Sequence, residues 1–317
     1  MIKINVDLIV LKYNAILKII LFSLFSFSIL KCYDDEFYII NEISQINSGT
    51  KSLNWSNIKN EFEILANKYK NLIKKENKIP ENSPIWVMWY QGIKSAPPIV
   101  LSCINSIIIN KGKHHVNIID KYNLDKYIKL PSYIIDKFKN GTFSITHFSD
   151  IVRMGLLYKY GGIWIDSTIF VTNPIKNINS TFYSLKKANC FKHPYIKCKW
   201  VIYLMGTRKH SFISTYGYSA FLFYLKKYNS FIAYFLLDYI IHIAYITIEE
   251  FKNIIENLPY DNCNIWLAKY LNYEYNKNYF KCNFNKLTYK KHFNELIGNK
   301  QTNYGYLIEK YHKIRHF

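Results

Sequence analysis

Acidic residues, glycine and proline are scarce in this sequence. Its 317 residues include 22 Asp and Glu, 11 Gly and 8 Pro. So little Gly and Pro, together with the lack of any repeat of fixed period, excludes collagen-like and solenoid proteins. Half of the residues are hydrophobic and 20% are charged, which excludes a disordered polyelectrolyte. The composition therefore predicts a globular protein with one large domain or two small ones.

The shortage of acids leaves 42 Lys and Arg unbalanced, for a formal net charge of +20. Such a charge can attract an anionic partner, such as a membrane surface, nucleic acid or a phosphorylated substrate. The alternative is general surface basicity, because the lysines are spread along the chain. No zinc-finger, helix-turn-helix or RNP pattern is present. No nucleic-acid partner is therefore predicted.

Cysteine is also infrequent, and none of the six cysteines forms a C-x-x-C pair. Cys190, His193 and Cys198 lie close together in the sequence, but a metal site there would lack a fourth ligand. We expect reduced, mostly buried thiols, as in a cytosolic protein. The expected localisation is therefore cytoplasmic.

Long apolar runs are nearly missing, and the one candidate is Ala15–Leu30. It is shorter than the ~20 residues of a spanning helix and contains Lys18. Lys31-Cys32-Tyr33 is a poor signal-peptide cleavage site. Three alternatives remain for residues 1–32: an interfacial helix on an anionic inner leaflet, a weak signal anchor, or a helix docked on the domain. We expect peripheral attachment at the inner face of the membrane.

The rest of the chain alternates between helix and strand patterns. Apolar residues recur at helical spacing over Lys51–Lys75, so residues 33–79 are predicted to be a helical extension before a main domain at 80–317. The remaining segments are a strand at Ile85–Trp89, a helix from Pro97-Pro98 to Lys111-Gly112, a strand at His115–Asp120 and a helix at Pro131–Lys139. This order predicts an α/β fold with parallel strands, helices on both faces and a ligand crevice at the carboxyl ends of the strands.

One segment concentrates the residues that could do chemistry. Residues 146–172 read THFSDIVRMGLLYKYGGIWIDSTIFVT. Ser149 is the predicted N-cap of a helix to Tyr160, which places Asp150 in its first turn and puts Asp150 and Arg153 on one face. Gly161-Gly162 then ends the helix and turns into the strand Ile163–Ile165.

The strand predicted at Ile163–Ile165 ends in an acid. Alternation along it directs Trp164, Asp166 and Thr168 to one side. An acid at this place must meet a cation or hydrogen-bond donors. A divalent metal that carries a diphosphate would satisfy it.

This segment resembles the capsular polysaccharide synthesis family of glycosyltransferases and the wider group of sugar transferases with a DXD motif. Similar pieces lie upstream at Trp86–Ser106 and downstream at Asp238-Tyr239 and 285–290. The resemblance covers about residues 80–295. It implies a GT-A fold, which is a Rossmann-related mixed sheet flanked by helices, with a helical C-terminal part.

The resemblance also implies roles for individual residues. Asp166 matches the first DXD acid, which contacts the donor ribose and a Mn²⁺ or Mg²⁺ ion, so it is the predicted metal ligand. Thr168 stands at the second acid, where a hydroxyl is a poorer ligand. Asp150 and Arg153 match residues that hold the donor sugar and phosphate, and these two with Asp166 are the predicted catalytic set. Trp89 matches an aromatic residue that stacks on the nucleobase.

The activity that the resemblance implies is a retaining, metal-assisted transfer of a sugar from a nucleotide-sugar donor. The expected acceptor is a glycan or glycolipid in capsular or other surface polysaccharide synthesis. Two alternatives remain: a non-catalytic, basic membrane-surface protein with a degenerate fold, and a glycosyltransferase that modifies a protein. Two residue assignments also have alternatives. Asp150 and Arg153 could be a surface ion pair, and Trp86 rather than Trp89 could be the exposed aromatic residue.

Overall fold

The computed structural model describes residues 54–75, 77–176, 178–187, 198–261 and 265–312. All of these belong to one compact unit. The predictions for the N-terminal segment 1–32, for the extension up to residue 53, and for Cys190 and His193 lie outside the described residues.

A mixed sheet of five strands forms the centre of the described protein, in the order β2-β1-β3-β7-β5. Strand β1 pairs in parallel with β2 and β3, and β7 runs antiparallel to β3 and β5. These strands are β1 Ile85–Met88, β2 Val116–Ile119, β3 Gly162–Ile165, β5 Phe182–Tyr183 and β7 Leu204–Thr207. Shorter strands pair outside this sheet: β4 Ile169–Val171 with β9 Phe284–Lys286, β6 Lys186–Lys187 with β8 Tyr260–Asp261, and β10 Leu296–Ile297 with β11 Lys300–Gln301.

Helices flank the sheet, as the alternating sequence pattern predicts. They are α1 Trp55–Tyr69, α2 Pro98–Ile109, α3 Leu124–Tyr127, α4 Ser132–Lys139, α5 Ile145–Tyr160, α6 Phe212–Lys227, α7 Leu236–Thr247, α8 Glu249–Glu256 and α9 Asn303–Leu307. The 3₁₀ turns are Lys70–Lys75, Ile93–Ser95, Leu267–Lys269 and Lys277–Phe280, and a π-helical turn covers Ile308–His312. The chain is thus a mixed α/β protein with a mixed sheet between helices, which confirms that part of the predicted fold.

The central strands are buried on both faces. Ile163 and Ile165 of β3 belong to the same hydrophobic cluster as α2. Trp164 points the other way, where its ring lies 5.0 Å from the Arg153 guanidinium carbon on α5. A strand covered on both sides reads as a continuous apolar run, which is why Ile-Trp-Val-Met and Gly-Ile-Trp-Ile carry no polar residue.

Helix α1 is part of the same packed structure. Its buried residues are Ile58, Phe62 and Ala66, spaced as one helical stripe. They face α6 and α7, with which α1 makes its main contacts. The helix that the sequence predicts over Lys51–Lys75 is therefore present from Trp55, and it continues into a 3₁₀ turn.

Two local predictions need correction. Ser149 is not the N-cap of its helix: α5 begins at Ile145, with Ser144 capping the His147 N–H. Asp150 therefore lies in the second turn, where the positive helix end no longer stabilises it. The chain also turns at Ser167 and Thr168, so strand alternation does not continue past Ile165.

Cysteine chemistry differs from the prediction as well. Cys198 and Cys282 each take part in a disulfide bond, whereas the buried Cys103 is a free thiol. Disulfides persist in oxidising compartments. Cys198 and Cys282 therefore do not support the prediction of a cytosolic protein, which rests on reduced thiols. Within the described ranges, every helix is too short or too polar to cross a membrane.

Candidate active site

The site begins where α5 turns into β3. Gly161 and Gly162 make the turn with φ angles of 68° and 101°, a backbone region that costs little only for glycine. Close packing adds to this, because a Cβ atom on Gly162 would lie 2.2 Å from the Pro84 carbonyl oxygen. The tight reversal brings the end of β3 alongside the middle of α5.

Arg153 joins the helix to the end of the strand. Its Nη1 lies 2.8 Å from Asp150 Oδ1 and its Nη2 lies 3.0 Å from Asp166 Oδ1. Arg153 and Asp150 are both nearly fully buried. The alternative that they form a surface ion pair is therefore wrong: the pair is an internal one.

Asp166 is bound through both carboxylate oxygens. Oδ1 accepts hydrogen bonds from Arg153 Nη2 and from Trp164 Nε1, the latter at 2.8 Å. Oδ2 lies 2.6 Å from Lys286 Nζ. The Asp166 side chain keeps 23% of its surface exposed. The acid that the sequence places at the strand end thus meets two cations and an indole.

Asp166 and Asp150, the two carboxylates that contact Arg153, have opposite electrostatic environments. Burial acts to raise the pKa of Asp166, but the charges of Lys286 and Arg153 outweigh it and hold the pKa below its ordinary value. Burial raises the pKa of Asp150 to about 7, with Arg153 opposing and Asp166 and Asp238 reinforcing the shift. Asp166 is consequently the carboxylate that stays ionised at neutral pH.

Asp238 is a third buried acid beside this cluster. Trp200 Nε1 donates a hydrogen bond to its Oδ1 at 3.0 Å. Burial raises the pKa of Asp238 to about 6, although Trp200 and Arg153 act against the shift. The sequence singles out Asp238-Tyr239 through its resemblance to the family but gives it no role, and nothing in the sequence links it to Trp200.

A cleft of about 400 Å³ opens above Asp166, and we call it the central cleft. It lies at the carboxyl ends of the parallel strands β1 and β3, as the α/β pattern predicts. Its lining residues are Met88, Trp89, Tyr90, Gln91, Ile145, Thr146, Ser149, Arg153, Trp164, Asp166, Ser167, Thr168, Tyr234, Lys286, Leu287, Thr288, Tyr289 and Lys290.

The predicted site residues divide into two groups. Trp89, Arg153, Asp166 and Thr168 all line the central cleft. Asp150 is placed behind Arg153, so it contacts the guanidinium rather than the cleft. A donor contact by Asp150 stays a prediction.

Of the two tryptophans that could be the accessible aromatic residue, Trp89 and not Trp86 lines the cleft. Trp86 is buried, and its Nε1 donates to the Gly161 carbonyl at 2.8 Å. Trp89 is half-buried, and its ring meets Tyr289 edge-on with centroids 5.3 Å apart. The structure therefore decides between the two alternatives for the accessible aromatic residue.

Lys286 is a residue of the cleft that the sequence pattern does not single out. It lies on β9, whose antiparallel pairing with β4 aligns Lys286 with Ile169. Ile169 follows Asp166 by three residues, which is how a lysine 120 positions away reaches the carboxylate. The resemblance points to 285–290 as a block, but no local pattern distinguishes this lysine from the many others.

The donor set around Asp166 does not fit a metal ion held by the protein. Both oxygens of Asp166 are paired with cations. Thr168 adds only a hydroxyl, a weak ligand for a hard cation. Within the described ranges, no group of three or more His, Cys, Asp or Glu side chains could hold a metal ion. The Mn²⁺ or Mg²⁺ of the resemblance stays a prediction without a matching ligand set.

This fold and cleft define a class: α/β proteins with a cleft where the parallel strands end. The chain belongs to the family of capsular polysaccharide synthesis proteins, whose family model matches residues 35–307. That membership confirms the predicted resemblance at the level of a glycosyltransferase-like family.

Curated relatives are similar over short stretches. The O-glycosyltransferase braB of Annulohypoxylon truncatum is 28% identical over 110 residues, 32% of this chain and 26% of that protein. The uncharacterized protein At4g19900 of Arabidopsis thaliana is 31% identical over 64 residues, 19% of this chain and 10% of that protein. Among solved structures, the PaToxG glycosyltransferase matches with a TM-score of 0.29 and 14% identity, over 50% of this chain and 66% of that one. The chain thus spans about a quarter or less of the curated relatives' length.

Proposed function

We propose that this protein is a glycosyltransferase with a GT-A-like fold that takes a sugar from a nucleotide-sugar donor. The observation that carries the proposal is the ionised Asp166 held by Arg153 at the floor of the central cleft. Family membership supports the activity class. The donor's negatively charged diphosphate explains why a cleft in such a protein needs fixed positive charge.

The cleft offers a place for each part of the donor. Trp89 is the stacking surface for the nucleobase, since aromatic rings bind the flat face of any base. Asp166 takes a ribose hydroxyl: a carboxylate has about four acceptor sites, and Trp164, Arg153 and Lys286 occupy three. Arg153 supplies charge beneath the diphosphate, and Asp150 positions Arg153.

The reaction breaks the bond between the anomeric carbon of the sugar and the diphosphate oxygen. The electron pair leaves with that oxygen, and an acceptor hydroxyl oxygen forms the new bond to the carbon. Its proton passes to the departing diphosphate oxygen. Fixed cations stabilise the charge that develops on the leaving group.

The acids of the cleft support the proposed retention of the anomeric configuration. Among the described residues that line it, Asp166 is the single carboxylate, there is no histidine, and both Asp166 oxygens are already paired. An inverting enzyme needs a free base for the acceptor hydroxyl, and no described lining residue meets that need. Attack on the face from which the diphosphate leaves requires no such base.

The proposed acceptor is a hydroxyl of a glycan or glycolipid in the assembly of a capsular or other surface polysaccharide. The family description supports the polysaccharide, and the name of the fungal relative, an O-glycosyltransferase, supports an oxygen acceptor. Assistance by Mn²⁺ or Mg²⁺ is a separate prediction, which the proposed donor placement does not require.

The test is turnover of nucleotide sugars by the purified chain. A panel of UDP-, GDP-, CDP- and dTDP-sugars is incubated with the protein, once with glycan acceptors and once with added protein as the acceptor, and NMR follows the anomeric proton of donor and product. We expect one donor to be consumed with retention, and Asp166→Asn to lower the rate by about 100-fold or more. Asp125→Asn, an exposed acid outside the cleft, is the matched control and keeps the full rate.

The outcomes separate the alternatives. A folded protein that binds and consumes no donor is the degenerate, non-catalytic protein, and the proposal is then wrong. Inverted product contradicts retention while the transferase assignment stands. Sugar that appears on added protein but not on glycan acceptors establishes the alternative acceptor class.

A further inference from the structure

Lys286 is positioned as part of the site by the fold itself. Its strand β9 pairs with β4, and the next residue, Leu287, donates its N–H to the Thr168 carbonyl at 2.9 Å. These main-chain bonds fix β9 against the turn that contains Asp166. The ammonium group also lies 5.3 Å from the Tyr203 ring centroid.

The Lys286 side chain is the more accessible of the two cations on Asp166. It is 39% exposed and lines the central cleft, whereas Arg153 is nearly buried. An ammonium group has three donor hydrogens. One is directed to Asp166 Oδ2, and two remain for oxygens of a ligand in the cleft.

The charges around Asp166 also match what a metal site would provide. A divalent ion at a DXD motif stabilises a leaving diphosphate by its positive charge. Here Thr168 stands in place of the second acid, and both oxygens of Asp166 are paired. The Lys286 ammonium group already lies 2.6 Å from Asp166 Oδ2. A lysine ammonium is a compact point charge, suited to phosphate oxygens.

We propose that Lys286 takes the place of the divalent metal: Asp166 holds its ammonium group, which binds the donor diphosphate and stabilises it as it leaves. This inference rests on the proposed function. It assigns Asp166 the task of holding a lysine rather than a metal ion. It also makes the protein independent of added Mn²⁺ or Mg²⁺.

The test measures nucleoside diphosphate binding by calorimetry, using the full chain after treatment with a chelator. The probes are UDP, GDP, CDP, ADP and dTDP, each titrated with and without MnCl₂. For wild type we expect one of them to bind without metal, and Mn²⁺ to change its Kd by less than about threefold.

Variants of Lys286 test whether its ammonium group binds the diphosphate. Lys286→Met is expected to weaken metal-free binding by about tenfold or more, because a charge-assisted contact is lost. Mn²⁺ should then tighten binding to this variant, since Asp166 Oδ2 becomes available to a metal. Lys286→Arg keeps the charge and most of the affinity. Lys281→Met, an exposed lysine of the same segment outside the cleft, is the matched control and binds as wild type does.

Each outcome has one meaning. If wild type binds only with Mn²⁺ and Lys286→Met binds equally well, the metal is the cation and the inference is overturned, while the proposed function stands. If no nucleoside diphosphate binds under either condition, the proposed function fails and the role of Lys286 with it. Should Lys286→Met fail to fold, Lys286→Gln takes its place in the same titrations, and unchanged metal-free binding by that variant overturns the inference.

Discussion

Arg153 Nη2 on α5 lies 3.0 Å from Asp166 Oδ1 at the end of β3, although the two residues are 13 positions apart in the chain. The same guanidinium reaches Asp150 through Nη1. One buried cation therefore ties a helix to the strand end that forms the floor of the central cleft. Arg153 therefore contributes to the stability of the fold and has a role in the proposed function, and both can be tested at this side chain.

Replacing Arg153 by Met leaves Asp150 buried without its cation. Removing one partner of a buried ion pair costs about 3–5 kcal/mol of unfolding free energy, and we expect a loss of that size at pH 8. Urea denaturation of wild type and variant measures it. The double variant Asp150→Asn, Arg153→Met should recover part of the loss, because an amide at position 150 requires neither a cation nor the uptake of a proton.

A surface pair provides the control for this experiment. Lys59 and Glu63 lie 3.4 Å apart on the exposed side of α1, and such pairs contribute about 0–1 kcal/mol. Lys59→Met should therefore change stability little. Equal losses for Arg153→Met and Lys59→Met would contradict the internal role of Arg153.

The raised pKa of Asp238 predicts that the free energy of unfolding depends on pH. Its pKa in the folded protein is about 6, above the ~3.9 of an unfolded chain. The folded state therefore binds the proton more tightly, and ionised Asp238 destabilises the fold as pH rises through this window. Asp238→Asn keeps an oxygen for the Trp200 N–H and removes the charge. We expect the variant to be more stable than wild type by on the order of 2–3 kcal/mol at pH 8.

The sign is checked by repeating the urea denaturation at lower pH. As the pH falls below ~4, Asp238 becomes protonated in both states, so the advantage of Asp238→Asn should shrink and then vanish. A variant that is less stable than wild type at pH 8, or an advantage that grows toward acid pH, would contradict the raised pKa.

The sequence predicts the parts of the site that local patterns encode. Asp150 and Arg153 share a helix face, and Asp166 follows an apolar strand, so short-range spacing is enough to select them. The predicted helix start is wrong because Ser144 and Ser149 are both suitable caps, and local spacing does not distinguish between them. Lys286 could not be predicted from spacing, because only the β4–β9 pairing brings it to Asp166.

The position of Trp89 in the central cleft predicts that its ring contributes measurably to nucleotide affinity. Loss of an aromatic stacking partner costs about 1–3 kcal/mol per base, which is about a 5- to 150-fold rise in Kd. We expect Trp89→Ala to weaken binding of the favoured nucleoside diphosphate by that amount in calorimetry. Trp266→Ala, at an exposed tryptophan outside the central cleft, should leave Kd unchanged. If the two variants bind equally, nucleobase stacking lies elsewhere.

Gly162 tests whether the helix-to-strand turn sets the geometry of the site. Gly162 and Gly141 both have positive φ angles, 101° and 71°. Alanine at either position meets backbone strain of about 1–3 kcal/mol. At Gly141 a Cβ atom would have nothing within 4 Å, whereas at Gly162 it would lie 2.2 Å from Pro84 O, a backbone atom. That same oxygen accepts the Ile163 N–H at 2.8 Å, so relief of the overlap has to separate β1 from β3.

We therefore expect Gly162→Ala to lose at least about 2 kcal/mol more unfolding free energy in urea than Gly141→Ala, because strain is common to both and overlap is not. Because Asp166 follows the displaced strand, donor turnover should fall in Gly162→Ala and stay at the wild-type rate in Gly141→Ala. Equal losses of stability would mean that the β1–β3 edge yields without cost. In that case the Gly-Gly turn would be a matter of backbone conformation alone, and the position of Asp166 would depend on its bonds to Arg153, Trp164 and Lys286.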